Sequence, residues 1–513
     1  MRVFFFLLVF GMAFPHSLVY SQIVQWSQAQ SLKGGYGIWR IIEHEGAFYT
    51  IKAKSASSKA PFLVEKYNSD MELLFERQLN VPREDNQLTT LEDIKKTPSG
   101  FVLLFSRFVR ETSTYSFFGR LYNNDMEPDG DVVSLVSIEN ARNSYFGAPE
   151  IQETPDGKRV VVFFQQQDKN TTAASLHFSC FNIDLSPVWK KTLEIGLRDF
   201  KRKYIELAVD GKTNVFLLSA IEINDKKARK LAGKNLEILS YYPEENIVKE
   251  FEIDLGNKWL SSASLRYSPT GMLYVGGFYS NQPDERGIAG TFFLSINPET
   301  RQTDASTLKP FDRQLLSEFY SESKLNKEQQ LPSFRFSKFI VKPDGGVYFA
   351  AEQYYETVTT YMDYYSYYNA FPTTTVNYYY NDIVVVSVSA TGEIEWTKKI
   401  AKKQSSTNDK GYYLSFALHY DGNNLYFLYN ENPKNLSESA IRENRVKYMS
   451  NSARAVAAMV IVNPKGETSK KALFSGKDSG TILRPKIYLQ HTQQSFLLYG
   501  QTGKRYKLGK ANL

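Results

Sequence analysis

Thr154-Pro155-Asp156-Gly157 is followed almost at once by Val160-Val161-Val162-Phe163-Phe164, and this pairing recurs along the chain. The same kind of turn stands at Glu43-His44-Glu45-Gly46, Thr97-Pro98-Ser99-Gly100, Val209-Asp210-Gly211, Ser268-Pro269-Thr270-Gly271, Lys342-Pro343-Asp344-Gly345 and Tyr420-Asp421-Gly422. Proline presets φ, Asp or Ser closes the bend, and Gly takes a positive φ, which together is turn chemistry. Each turn precedes an apolar, β-branched or aromatic run: Val102 to Phe108, Val215 to Leu218, Leu273 to Phe278, Val347 to Ala351, Leu425 to Tyr429. The Gly-to-Gly intervals are 54, 57, 54, 60, 74 and 77, then 72 to a degenerate turn at Gln494 before Phe496 to Tyr499. A fixed unit repeated over the whole chain is the mark of a repeat architecture.

Each unit carries a second hairpin. Its clearest copy runs from Asp382 through Thr391-Gly392-Glu393 to Ile400, with others at Phe62 to Leu79, Phe117 to Ile138, Leu176 to Leu193, Leu236 to Ile253, Phe292 to Leu308 and Ala458 to Leu473. Two hairpins per unit make a four-stranded propeller blade. The expected fold is therefore all-β: a single eight-bladed β-propeller of four-stranded blades. Blades one to seven are expected at 36–80, 87–138, 146–196, 200–256, 259–311, 332–402 and 412–476, and the last blade at 481–513.

The last unit has only three strand-like runs, Pro485 to Gln490, Ser495 to Tyr499 and Arg505 to Leu508. Ile23-Val24-Gln25-Trp26-Ser27-Gln28-Ala29-Gln30 resembles the outer strands around Trp189 and Trp396, so residues 22–33 are expected to complete it. Closing first strand on last leaves no open sheet edge to aggregate. Seven blades followed by a tail is the alternative.

Residues 1–21 read as a signal peptide: Arg2, an apolar run from Val3 to Phe14, and Val19-Tyr20-Ser21 before Gln22. That run is too short to span a bilayer and no later stretch reaches about 18 apolar residues, so no transmembrane segment is expected. Export is implied, to the periplasm first and with secretion as the alternative. Cys180 is the only cysteine among 513 residues, which rules out an internal disulfide and a lipid-anchored first residue. Aromatics reach 14%, with 34 Tyr and 35 Phe, as suits pleated surfaces. The formal charge of +7 is scattered, and nucleic-acid binding would need a basic stripe, so none is expected.

Ser389-Ala390-Thr391-Gly392-Glu393-Ile394-Glu395-Trp396 resembles the tryptophan-docking repeat of the eight-bladed quinoprotein-like propeller superfamily. The match is partial at Trp189 and Trp26. The resemblance implies Trp wedged between blades and a propeller across the mature chain. Enzymes of that superfamily use a calcium-held quinone, a catalytic Asp and often adjacent cysteines, which this chain lacks in recognisable form. It is more similar to the non-catalytic scaffold type, such as the propeller subunit of the bacterial outer-membrane assembly machine.

Motifs for chemistry are weak. Asp125-Met-Glu127-Pro-Asp129-Gly130-Asp131 alternates acids before Gly, but Val136 stands where a calcium loop needs Glu, so a solvated turn is expected. His44, His419 and His491 fall at turns of blades one, seven and eight, and read as surface histidines too far apart to share a metal. His177 lies near Cys180 without a second ligand cluster. Gly276-Gly277 matches a kelch diglycine in one blade only. No nucleophile elbow or phosphate loop occurs, and no catalytic residue, metal or cofactor is assigned.

The unusual stretch is Gln353 to Asn381, between the two hairpins of blade six. It holds Tyr354, Tyr355, Tyr361, Tyr364, Tyr365, Tyr367, Tyr368, Tyr378, Tyr379 and Tyr380, no Lys or Arg, and only Glu356 and Asp363 as charges. It reads either as an extended hairpin or low-complexity insert, or as a recognition surface, since Tyr gives large contact area at little entropic cost. In the second case, replacing 353–381 should leave stability nearly unchanged. The blade-seven insert, Asn430 to Arg454, is charged and should emerge on the same face. The expected function is a non-catalytic cell-envelope propeller for protein–protein interaction. Its partner would be a protein of the envelope, such as the outer-membrane channel of an assembly or secretion (type IX-like) translocon. The alternatives are a carbohydrate-active or glycan-binding propeller and a cofactor-binding quinoprotein remnant.

Overall fold

The computed structural model describes residues 24–57, 59–84, 87–139, 144–168, 174–195, 200–223, 235–268, 270–282, 287–325, 329–366, 369–437 and 446–513. The expected signal peptide, Ile23, Pro269, Tyr367 and Tyr368 lie outside them.

The chain is all-β, a repeat of antiparallel sheets in the manner of a β-propeller. Among the described residues there are eight sheets of at least four strands and one small two-stranded sheet. In chain order, the first sheet is Gly37–His44, Ala47–Ala53, Phe62–Tyr67 and Leu73–Leu79; the sixth is Phe334–Val341, Val347–Ser366, Asn369–Val388 and Ile394–Ile400. The seventh is Ala417–Tyr420, Leu425–Glu431, Val456–Val462 and Thr468–Ser475. The eighth takes Ile482–Thr492, Ser495–Thr502 and Arg505–Asn512 from the C-terminus. Its fourth strand comes from the other end of the chain. Val24 to Trp26 pair with Ala511 to Gly509, and Gln30 and Ser31 pair with Tyr506 and Arg505.

Burial explains the sequence patterns. Middle strands such as Leu273–Ser280 are buried throughout, so they read as continuous apolar runs, while the outer strand Leu73–Leu79 alternates. Among the described residues eight apolar cores lie between sheets, seven shared by successive sheets and one by the first and the eighth. One of them joins Phe48 and Tyr67 of the first sheet to Leu497, Tyr499 and Leu508 of the eighth. Each fully buried Leu or Phe there contributes about 1.5–3 kcal/mol. First strands of neighbouring sheets approach one another, including those of the first and eighth.

Glycine fits the turns with one exception. Gly157 (φ 67°) and Gly345 (φ 88°) take the left-handed conformation, but at the fourth repeat Thr213, not Gly211, does so (φ 65°). Trp189 and Trp396 dock forward: their indole N–H groups donate to Thr213 Oγ1 and to the Pro464 carbonyl on the following sheet, at 2.9 and 2.8 Å. Trp26 departs from the expected likeness. Paired with Gly509, it faces backward onto Phe474 of the seventh sheet, 5.1 Å between rings. Side chains alternate faces along a strand, so an offset of one residue in register reverses the docking direction.

Gly276-Gly277 has a packing role. A Cβ on Gly276 would stand 2.5 Å from the Phe349 ring, and one on Gly277 2.1 Å from the Ser262 carbonyl oxygen.

Candidate functional site

The tyrosine-rich stretch is an extended hairpin. It continues the second and third strands of the sixth sheet into two strands of 20 residues each, the first ending at Ser366 and the second starting at Asn369. The first strand of that sheet stops pairing at Gln353 and the fourth at Ile383, beyond which the two long strands run on as an arm. Gln404–Thr407 adds a third strand at the base, pairing with Tyr380 to Asn377. Asn408 still binds the Val376 N–H and carbonyl opposite Val358, and beyond that pair the arm is a two-stranded ribbon with both edges unpaired among the described residues. From Val358 the nine residues to Ser366 span about 30 Å at roughly 3.3 Å each.

Antiparallel register brings the tyrosines together in pairs. Tyr355 stacks on Tyr379 at 4.6 Å, and Tyr354 meets Tyr380 edge to face at 4.6 Å. Tyr378 and Tyr380 pack on a small core of Leu414, Met449 and Ala455. Burial pushes the hydroxyls of Tyr355 and Tyr380 up to about 12, so both stay protonated, and they accept from the Asn381 amide at 3.4 Å and from Lys486 at 2.8 Å. Tyr354 is 9% exposed and its ring is covered, whereas Tyr361 is 48% exposed on the free ribbon. Tyr364 and Tyr365 lie in the outgoing strand.

A buried polar network clamps the base. Lys402, fully buried, donates to Glu352 Oε1 (2.8 Å), to the Tyr380 carbonyl (2.8 Å) and to Gln404 Oε1 (3.0 Å). Ser415 donates to the other Glu352 oxygen at 2.6 Å. Burial pulls the Lys402 pKa down against the attraction of Glu352. A buried charge survives only when paired in this way. The base is thus part of the folded body, and the span 353–381 read from sequence cuts through it. The blade-seven insert meets the same base: Ser405 N–H donates to the Met449 carbonyl at 3.1 Å, and Tyr448 lies 6.3 Å from Tyr379. Glu438, Arg442, Glu443 and Arg445 of that insert lie outside the described residues.

Sequence reasoning missed Lys402, Glu352, Gln404 and Ser415. They are scattered over 64 positions and only strand register assembles them. It also misplaced two histidines. His44 and His419 are buried, not surface residues, because their turns press on the next sheet: His44 lies against Phe101 and His419 against Phe496. Burial lowers the pKa of both, and of His177 and His491. Asp125 and Glu127 form ion pairs with Lys66 and Arg77 of the first sheet, at 2.8 and 2.7 Å. Burial pushes the Cys180 thiol up to about 12, far from a reactive thiolate.

No family profile and no curated protein sequence matches the chain. Among solved structures it is similar to the WD40 domain of SCAP from fission yeast, at 10% identity and TM-score 0.39, covering 95% of this chain and 96% of that one. An acylaminoacyl peptidase follows at 10% identity and TM-score 0.37, covering 91% and 58%. An endo-arabinase from Bacteroides thetaiotaomicron stands at 12% identity and TM-score 0.24, covering 42% and 75%. Likeness at this level carries no functional weight, and the fold rests on the sheets themselves.

Proposed function

We propose that the eight sheets are the blades of one propeller, closed by the N-terminal strand, and that this exported, non-catalytic chain holds a protein partner through its arm. Support for the ring comes from eight shared cores, the last between the first and eighth sheets, and from the strand at Val24–Trp26. Forward docking of Trp189 and Trp396 supports the likeness to quinoprotein-like propellers. The amino-terminal pattern at residues 1–21 supports placement in the cell envelope. There the partner would be an outer-membrane channel or another subunit of an assembly or secretion machine.

The observation that carries the reading is the ribbon beyond Val358. An isolated two-stranded ribbon is marginally stable in water, and unpaired edges invite a further strand. A chain that adds to such an edge gains main-chain hydrogen bonds, with side chains supplying specificity. The test replaces Thr359–Thr375 with Asn-Gly, a favoured two-residue hairpin turn. A protein recovered with the intact chain, and shown after purification to bind it directly, should not bind the trimmed one. Equal binding to both would overturn the reading.

A further inference from the structure

Three cations without a carboxylate in ion-pair contact gather at the base of the arm, among the described residues. Arg335, in the first strand of the sixth sheet, places its guanidinium carbon 3.6 Å from the centre of the Tyr354 ring. Tyr354 abuts Tyr380, and Lys486 of the eighth sheet lies 4.3 Å from the Tyr380 ring centre. Lys486 also donates to the Tyr380 hydroxyl at 2.8 Å and to the Gly411 carbonyl at 3.2 Å. Lys486 reaches this far because the first strand of the intervening seventh sheet has only four residues. Arg484, two residues earlier on the same strand, adds its charge behind Lys486: its guanidinium carbon lies 3.1 Å from the centre of the Tyr412 ring, it donates to Gln501 Oε1 at 3.1 Å, and its Nε is buried with no partner.

None of Arg335, Arg484 and Lys486 has a carboxylate within ion-pair distance among the described residues. Of the nearby acids only Glu352 is paired with a cation, Lys402, and it also accepts from Ser415, while Glu356 and Asp409 accept from neutral donors, the Tyr354 hydroxyl for the first and Ser406 with the Gly411 N–H for the second. Lost hydration lowers the pKa of Lys486 against the attraction of Glu352 and Asp409, with the charges of Arg484 and Lys402 adding to the fall, and burial lowers that of Arg484. Crowded, partly dehydrated cations are costly unless an anion arrives.

We infer that the arm base is a receptor for an acidic, extended peptide segment, whose carboxylates are held by Arg335 and Lys486. This rests on the docking reading above and names the chemistry of what docks. A peptide fits better than an acidic glycan for two reasons. Sugars need open aromatic faces, but Tyr354 is covered by Arg335 and Tyr380. The ribbon edges just above the cations offer backbone groups to an extended chain. Charge-assisted bonds to Arg and Lys would fix its register.

Isothermal titration of the purified protein with a hexaglutamate peptide at low salt tests this, with hexalysine, inorganic phosphate and polygalacturonate as comparisons. Hexaglutamate should bind, should weaken as salt rises, and should lose about tenfold or more in affinity in R335Q/K486Q, as removing two charge-assisted contacts demands. R335Q alone, at an exposed position, should lose part of it, and covers the case in which the double variant does not fold. Absent binding, binding unchanged in both variants, or phosphate or polygalacturonate competing as strongly as the peptide would each overturn the inference. The Asn-Gly trimmed chain separates the two readings. If trimming leaves partner binding intact, the docking arm fails, while hexaglutamate binding still decides the receptor on its own.

Discussion

Lys52 and Tyr506, 454 residues apart in the chain, meet at 2.9 Å, Lys52 Nζ donating to the Tyr506 hydroxyl. Lys52 belongs to the second strand of the first sheet and Tyr506 to the third strand of the eighth. Lys52 also pairs with Glu65 at 2.9 Å, and both are 1% exposed. Glu65 accepts from Tyr67 and Tyr506, and the phenols of both are pushed far up, Tyr67 by burial and then Glu65, and Tyr506 by the same two causes. A buried polar cluster therefore sits where the two ends of the chain meet.

Lys52→Met should strand Glu65 in the core and cost about 3–5 kcal/mol, the price of a broken buried pair. Lys52→Met with Glu65→Gln should cost less than Lys52→Met alone, because the stranded charge is gone. Denaturant titration of the parent, Lys52→Met, Glu65→Gln and the double variant checks it. Additive losses would mean the two groups are not coupled.

The terminal strand can be tested through Gly509. A Cβ there would stand 2.7 Å from the Trp26 ring. Gly509→Ala should destabilise the intact protein by about 1–3 kcal/mol through overpacking. In a chain beginning at Lys33 the same change should cost much less, although that chain should melt well below the intact one. An equal effect in both backgrounds would detach Trp26 from Gly509.

Much of this fold is legible in local chemistry. The run Val160 to Phe164 announces a strand buried on both faces, and Thr391-Gly392 announces the outer hairpin before Trp396. Register is less legible: Ile23 to Gln30 matches the other tryptophan strands by eye, yet Trp26 faces the opposite neighbour. The site is less legible still. Tyrosine density marks the arm, but nothing near Lys402 in sequence points to Glu352 or Ser415, and the burial of His419 comes from a sheet some 70 residues on.

Stability should separate the arm from its base. Replacing Thr359–Thr375 with Asn-Gly should shift stability by no more than about 1 kcal/mol, since shortening a connection changes closure entropy little. Lys402→Met should cost about 3–5 kcal/mol by leaving Glu352 buried and unpaired. Thermal melts of both variants give the answer. A trimmed chain that melts as low as Lys402→Met would make the ribbon part of the core.

Acid should weaken the fold through its histidines. His419 Nε2–H donates to the Gln493 carbonyl at 2.9 Å, and its Nδ1 is buried with no partner. Burial lowers its pKa in the folded state. The unfolded chain therefore binds the proton more readily below about pH 6.5, and stability should fall as pH drops through that value. His419→Gln, which keeps a donor, should flatten part of this slope in urea titrations between pH 7.5 and 5.5. An unchanged slope would remove His419 from the account.

The most direct measurement of partner docking places a photo-crosslinking side chain at Tyr361, exposed on the ribbon, or at Leu74, 55% exposed on the outer strand of the first sheet. Irradiation of cells producing either protein should give one discrete protein adduct from position 361 and none from position 74. No adduct from position 361, or the same adducts from both positions, would contradict the account.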